Sequence, residues 1–268
     1  MNPFDLTDRV AIVTGGSAGI GRGIALGLAR AGANVVVAAR RQDRIDAVCT
    51  AIRAEGGHAL GVVTVVTSPA GIDQLVTATL AEFGRIDVLV NNAGASYGDG
   101  FRRGPLADLA MADFDGCFAL NTRSVFLAAR AANAVMQRQG KGAIINIGSV
   151  GGQAGRAPQL GFALYGAAKA ATIHLTVSMA AEWGPAVRVN SLLPGVIETE
   201  RSASVRSADE AAGLSAQVAM GRIGAPQDVA GAAVFLASDA AAFVTGASLA
   251  VDGGTRSVDR SKLRRPAG

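Results

Sequence analysis

The chain has 268 residues, half of them hydrophobic, a formal net charge of +4 and two cysteines, Cys49 and Cys117. That length suits one large α/β domain or two small ones, and the cysteine count rules out a disulfide framework or a cysteine-based metal cluster. The stretch from Thr255 to Gly268 sets Arg256, Arg260, Lys262, Arg264 and Arg265 against Asp259 and so accounts for the whole net charge, leaving a neutral body that argues against a nucleic-acid surface.

Met1 to Asp8 contains acids and a proline and lacks the basic-then-apolar pattern of a signal peptide. No apolar run approaches membrane-spanning length. A reduced, cytoplasmic setting with no membrane partner is the expectation.

Arg9 to Thr14 predicts a short buried strand. It runs through Gly15, Gly16, Ser17, Ala18 and Gly19 into a helix from Ile20 to Ala31, and a second strand follows from Asn34 to Ala38. Strand, glycine turn, helix and strand within about thirty residues is a βαβ unit on a parallel sheet. The glycines Gly15, Gly19 and Gly21 let the backbone approach a pyrophosphate closely. The N–H groups of Ile20 and its neighbours then face that anion from a positive helix end. Ser17 adds a hydroxyl to the same turn.

The end of the second strand bears on the cofactor. A site for NAD places Asp or Glu there, to bind the ribose 2′-hydroxyl. Here the strand runs into Arg40 and Arg41, and two guanidinium groups suit a 2′-phosphate. NADP(H) is therefore expected over NAD, although Ala18 adds no charge from the glycine loop.

Gln42 to Glu55 predicts an amphipathic helix, His58 to Val66 a third strand and Pro69 to Phe83 the next helix. Asp87 to Val90 is a fourth strand, ending in Asn91, Asn92, Ala93 and Gly94. Those amides either tie strand ends together or line a cofactor cleft. Gly98 to Pro105 is a loop carrying Arg102 and Arg103. Met111 to Gln139 is one long helical stretch with Asn121 among apolar neighbours. Gly142 to Ile147 is a fifth strand, with Ser149 just past its C-terminal end, the edge where open parallel sheets bind ligands. Phe162 to Glu182 is a helix and Val187 to Leu192 a sixth strand, followed by Pro194, Gly195, Ile197 and Thr199. Arg201 to Met220 is weakly patterned and suggests a mobile lid. Pro226 to Ser238 is a helix and Ala247 to Val251 a seventh strand.

Strand and helix alternate throughout, without repeat or linker. The expected fold is a single-domain, Rossmann-type, doubly wound parallel sheet of about seven strands over residues 1–254, with a flexible basic tail over 255–268.

Tyr165 and Lys169 stand one turn apart on a single helix face. A free phenol has a pKa of about 10. An ammonium one turn away favours the phenolate, so the expectation is a phenol tuned down towards neutrality.

These motifs, in this order from Leu6 to Gly254, resemble the short-chain dehydrogenase/reductase family in its compact, soluble branch. The closing run from Gly221 to Gly224 and on to Asp252, Gly253 and Gly254 resembles it too. The resemblance implies that Tyr165 is the general acid or base. Lys169 lowers its pKa and holds the nicotinamide ribose. Ser149 polarises the substrate oxygen, and Asn121 holds a water in a proton relay. Asn92, Gly94, Pro194, Gly195 and Ile197 border the cofactor, and Thr199 bonds its pyrophosphate or amide. Two departures stand out. The interval from Ser149 to Tyr165 is a few residues longer than in many relatives, which bulges the loop Gln153 to Gly161 over the substrate. Val65 and Val66 replace the usual Asp-Val, so Val65 meets the adenine through apolar contact alone while the backbone N–H of Val66 still serves.

The leading expectation is an NADP(H)-dependent carbonyl reductase acting on a small ketone or a 3-oxoacyl thioester, with a homotetramer or dimer as its assembly. The alternatives are an NAD-linked alcohol or polyol dehydrogenase of the same fold, or a catalytically silent dinucleotide-binding redox sensor.

Overall fold

The computed structural model describes residues 2–98, 100–153, 160–203 and 207–255. Seven parallel strands form one sheet in the order β3-β2-β1-β4-β5-β6-β7. They are β1 (Val10–Thr14), β2 (Asn34–Ala39), β3 (Ala59–Val63), β4 (Val88–Asn91), β5 (Gly142–Ile147), β6 (Val187–Pro194) and β7 (Ser248–Val251). The helices are α1 (Gly19–Arg30), α2 (Gln42–Ala54), α3 (Pro69–Phe83), α4 (Met111–Phe118), α5 (Ser124–Gln139), α6 (Ala163–Trp183), α7 (Glu200–Ala203), α8 (Ala208–Ala216) and α9 (Pro226–Ala237).

Successive strand residues face opposite sides of the sheet, and β1 shows the consequence. Ala11 and Val13 pack with α1, α2 and α9 on one face, whereas Val10 and Ile12 pack with α3, α5 and α6 on the other. A strand covered on both faces must be apolar at every position, which is why β1 and β2 read as unbroken hydrophobic runs. α1 lies directly on α9, and a Cβ on Gly23 would stand 2.6 Å from the Cβ of Pro226.

One expectation needs correction and two gain detail. The third strand stops at Val63, not Val66. Thr64 still donates its N–H to Ala39 O at 2.7 Å, but β2 ends there, and an edge strand has no second neighbour to prolong its ladder. The long helix from Met111 to Gln139 is continuous but not uniform, because residues Ala119–Arg123 form a π turn between α4 and α5. The weakly patterned stretch from Arg201 to Met220 contains α8, opened by a capping box in which Ser207 and Glu210 bond each other's backbone N–H. The central part of the loop Gln153 to Gly161 (residues 154–159) and the tail beyond Thr255 lie outside the described residues.

Candidate active site

The expected site residues gather along the C-terminal edge of the sheet, at the ends of β1, β4, β5 and β6. Thr14 closes β1 and fastens the two central loops together. Its Oγ1 accepts from the N–H groups of Asn92 (3.0 Å) and Ala93 (3.1 Å). Asn92 in turn donates its side-chain amide to the carbonyls of Thr14 (3.0 Å) and Gly15 (3.2 Å). Asn91 takes a different path. It donates to Asn146 Oδ1 at 2.9 Å, and Asn146 donates to Thr176 Oγ1 on α6 at 2.9 Å. All three are buried, so losing one member strands a polar partner at a cost of roughly 1–3 kcal/mol. The two asparagines thus tie strand ends together, while Asn92 also lies beside the glycine loop.

That loop fits a dinucleotide phosphate. Gly15 and Gly19 have φ of +63° and +52°, the left-handed region that favours glycine. A Cβ on Gly21 would stand 2.3 Å from Gly15 O, so the first turn of α1 can sit against the loop only without a side chain. α1 has no side-chain N-cap and no acid in its first turn, which leaves N–H groups and the positive helix end facing outward. A carboxylate already takes advantage of them: Gly19 donates its N–H to Glu200 Oε2 at 3.4 Å. Thr199 covers the same spot, 3.1 Å from where a Cβ on Gly19 would lie. Ser17 and Ile20 are half-buried in this cradle.

Arg40 and Arg41 are both exposed, and they, not an acid, directly follow Ala39 at the end of β2. Val65 is half exposed and Val66 buried, just past β3. Across the sheet, Gly195 donates to Val251 O at 3.0 Å, and Ile197 bridges Gly224 in parallel. Pro194 is buried at the end of β6, while Ile197 and Thr199 are half-buried.

The Ser149–Tyr165–Lys169 set converges where β5 meets α6. Ser149 follows β5 in an extended conformation, and its Oγ accepts from Gly151 N at 3.1 Å. Tyr165 lies in the first turn of α6. Lys169, one turn further on, is only 3% exposed and donates from Nζ to Ile147 O at 2.7 Å. Its Nζ stands 5.7 Å from the centre of the Tyr165 ring. Gly94 makes the room: a Cβ there would lie 3.1 Å from Lys169 Nζ and 2.8 Å from Asn121 Oδ1.

The electrostatics differ from the sequence expectation. Burial pushes the Tyr165 phenol up to about 12, with the Ser149 hydroxyl acting in the opposite direction. Burial likewise draws the Lys169 ammonium down to about 8. The expected downward tuning is therefore absent in the protein by itself. The ammonium is turned to a carbonyl and is itself stripped of water, and desolvation of the phenolate outweighs it.

Asn121 sits in the π turn and is fully buried. Its side-chain amide donates to the carbonyls of Ala95 and Cys117, each at 2.9 Å, while Oδ1 accepts from Ala95 N at 3.1 Å. Its main-chain carbonyl accepts from Thr172 Oγ1 at 2.9 Å. The side chain is thus a brace between α4 and the loop after β4, and π turns recur at functional sites for this kind of adjustment.

Sequence reasoning passed over Thr14, although its place just before the first glycine was a signal. It also passed over Glu200 and over Tyr97 and Phe162, whose roles depend on contacts between distant segments. No group of three or more potential metal ligands occurs among the described residues.

The chain matches the family model described as enoyl-(acyl carrier protein) reductase over residues 15–256. It is 40% identical over 247 residues to a 3-oxoacyl-[acyl-carrier-protein] reductase of Escherichia coli, covering 92% of this chain and 96% of that protein. Its fold superposes with a TM-score of 0.87 on a putative NAD(P)-dependent gluconate 5-dehydrogenase from Beutenbergia cavernae with bound NADP; the two are 38% identical, over 96% of this chain and 100% of that one. A 7α-hydroxysteroid dehydrogenase complexed with NADH and 7-oxo glycochenodeoxycholic acid gives a TM-score of 0.88 at 35% identity, over 94% of this chain and 96% of that one. The chain belongs to the short-chain dehydrogenase/reductase family, oxidoreductases that bind a nicotinamide dinucleotide.

Proposed function

We propose that the protein is an NADP(H)-dependent carbonyl reductase, reversible as a secondary-alcohol dehydrogenase, with Tyr165 as the proton donor. The carrying observation is the convergence of Ser149, Tyr165 and a buried Lys169 at the end of β5, beside a glycine cradle shaped for a dinucleotide. Burying an ammonium with no carboxylate partner among the described residues is costly, and a silent nucleotide-binding sensor has no use for it.

When bound, the nicotinamide supplies or accepts the hydride. Phenol burial keeps Tyr165 protonated at neutral pH, the form that gives a proton to a carbonyl oxygen. Ser149 accepts from Gly151, so its own hydroxyl hydrogen is left to polarise the same oxygen. Lys169 spends one N–H on Ile147 and has two others for ribose hydroxyls and for returning the proton to Tyr165. Asn121 fixes the loop that carries Gly94 beside that ammonium, and its carbonyl keeps a second lone pair for a relay water. Arg40 and Arg41 support NADP(H) over NAD(H), because an acid there would repel a 2′-phosphate. We read residues 1–254 as the catalytic domain and the chain as a cytoplasmic homo-oligomer, a tetramer or dimer.

The test is a panel of small ketones and 3-oxoacyl thioesters followed by nicotinamide absorbance. The wild type should turn over with NADPH faster than with NADH at equal concentration. Tyr165→Phe should lose about 10²–10⁴ in rate while binding NADPH as the wild type does. Undiminished turnover in that variant overturns the assignment of Tyr165, and equal use of NADH overturns that of the arginines.

A further inference from the structure

Two adjacent arginines on the loop after β4 behave differently. Arg102 is spent on its own loop: its backbone N–H bonds Asp113 Oδ1 at 2.8 Å, its Nε lies 3.5 Å from Asp113 Oδ2, and its guanidinium also donates to the carbonyl of Asp108. Arg103 has neither an acid nor a carbonyl partner among the described residues. Its guanidinium instead lies over two aromatic rings, with Cζ 4.7 Å from the centre of Phe162 and 5.2 Å from that of Tyr97. Phe162 directly precedes α6, and its ring meets Tyr165 edge-on at 6.5 Å and 72°. Arg103 is therefore one aromatic ring away from the phenol.

The surrounding loop is held in place. Gly98 and Phe101 bridge each other, and Phe101 is buried with Cys117 and Ala168, with Tyr165 packed against them. Gly104 meets the turn at Gly161, just before α6. Contact with ring faces restrains a guanidinium but uses none of its hydrogen-bond donors, which lie in its plane and match the forked oxygens of carboxylate and phosphate.

Resting on the carbonyl-reductase reading above, we infer that Arg103 receives an anionic group, carboxylate or phosphate, carried by the carbonyl substrate. The span from Arg103 to Tyr165 is no longer than the two ring contacts end to end, so a short carbon chain joins carbonyl and anion. Phe162 and Tyr97 aim the guanidinium, and Arg102 with Asp113 anchors the loop beneath it.

The test compares substrates that differ only in charge. One pair is an oxo acid and its methyl ester. The other is dihydroxyacetone phosphate and dihydroxyacetone, in which the phosphate lies a short chain from the carbonyl. Arg103→Gln should lower kcat/KM about tenfold or more for the anionic member of at least one pair, the size of a charge-assisted bond, and leave the neutral member within about twofold. Arg103→Lys should recover part of the loss, since it keeps charge without the fork. The pair that responds identifies carboxylate or phosphate as the anion. Equal loss on both members, or none, overturns the inference alone. If the wild type reduces neither these four substrates nor any member of the ketone and thioester panel, the carbonyl-reductase reading fails and takes this inference with it; if it reduces panel members but neither anionic substrate, this inference fails alone.

Discussion

Tyr165 and Lys169 show how far spacing carries. A four-residue interval placed both groups on one helix face, and the structure has them there. What spacing could not convey was the balance between a nearby charge and lost water. In the free protein lost water prevails, so the phenol is raised to about 12 and the ammonium depressed to about 8. Between pH 10 and about 12 the folded chain keeps a phenol proton that the unfolded chain releases, so this group's contribution to stability is present below pH 10 and is lost as pH rises through that window. The chain has two tyrosines, so the ultraviolet difference between the wild type and Tyr165→Phe isolates the phenolate of Tyr165. In cofactor-free protein no such signal should appear below pH 10. A phenolate already present at pH 8 would mean that the ammonium, not burial, sets this group.

The βαβ unit was legible because its periods are: two-residue alternation filled on both faces for β1 and β2, then a glycine turn, then an apolar helix. The breaks in those periods were not. The π turn at Ala119–Arg123 leaves no compositional mark, and α8 is mostly alanine and polar residues with a single large apolar side chain, Leu214, which says little about burial. The short helix α7 adds a contact no local pattern announces, the Glu200 carboxylate at the N-terminus of α1. A cofactor phosphate bound at that helix end would share it with a like charge. Glu200→Gln should therefore tighten NADPH binding by about two- to fivefold, the size of a surface charge acting at a helix end, as read by calorimetry. Weaker binding in that variant would show that the acid assists the cofactor instead of opposing it.

The molecule as a whole leaves apolar surface uncovered. Phe114 on α4, Phe126 on α5 and Val177 on α6 are each at least 40% exposed; Phe243, just before the edge strand β7, is fully exposed, and Leu249 lies on that strand. Among the described residues β7 has a paired neighbour, β6, on one side only, and an open sheet edge beside apolar surface favours association. Sedimentation velocity should give a mass two or four times the chain's 26.9 kDa. A monomer at micromolar concentration would contradict the proposed homo-oligomer.

Local chemistry carried the succession of strands and helices, the glycine cradle and the Tyr165–Lys169 pair, because each depends on periodicity, on a backbone only glycine tolerates, or on spacing along one helix. The parallel sheet had only to bring their ends to a common edge. Three-dimensional packing settled everything that depends on which distant segments touch. It determined that Lys169 faces a carbonyl, that Asn121 clamps a loop, and that Arg102 is spent while Arg103 is presented. Desolvation and hydrogen-bond partnership are properties of a surrounding volume, and no run of neighbouring residues encodes that volume.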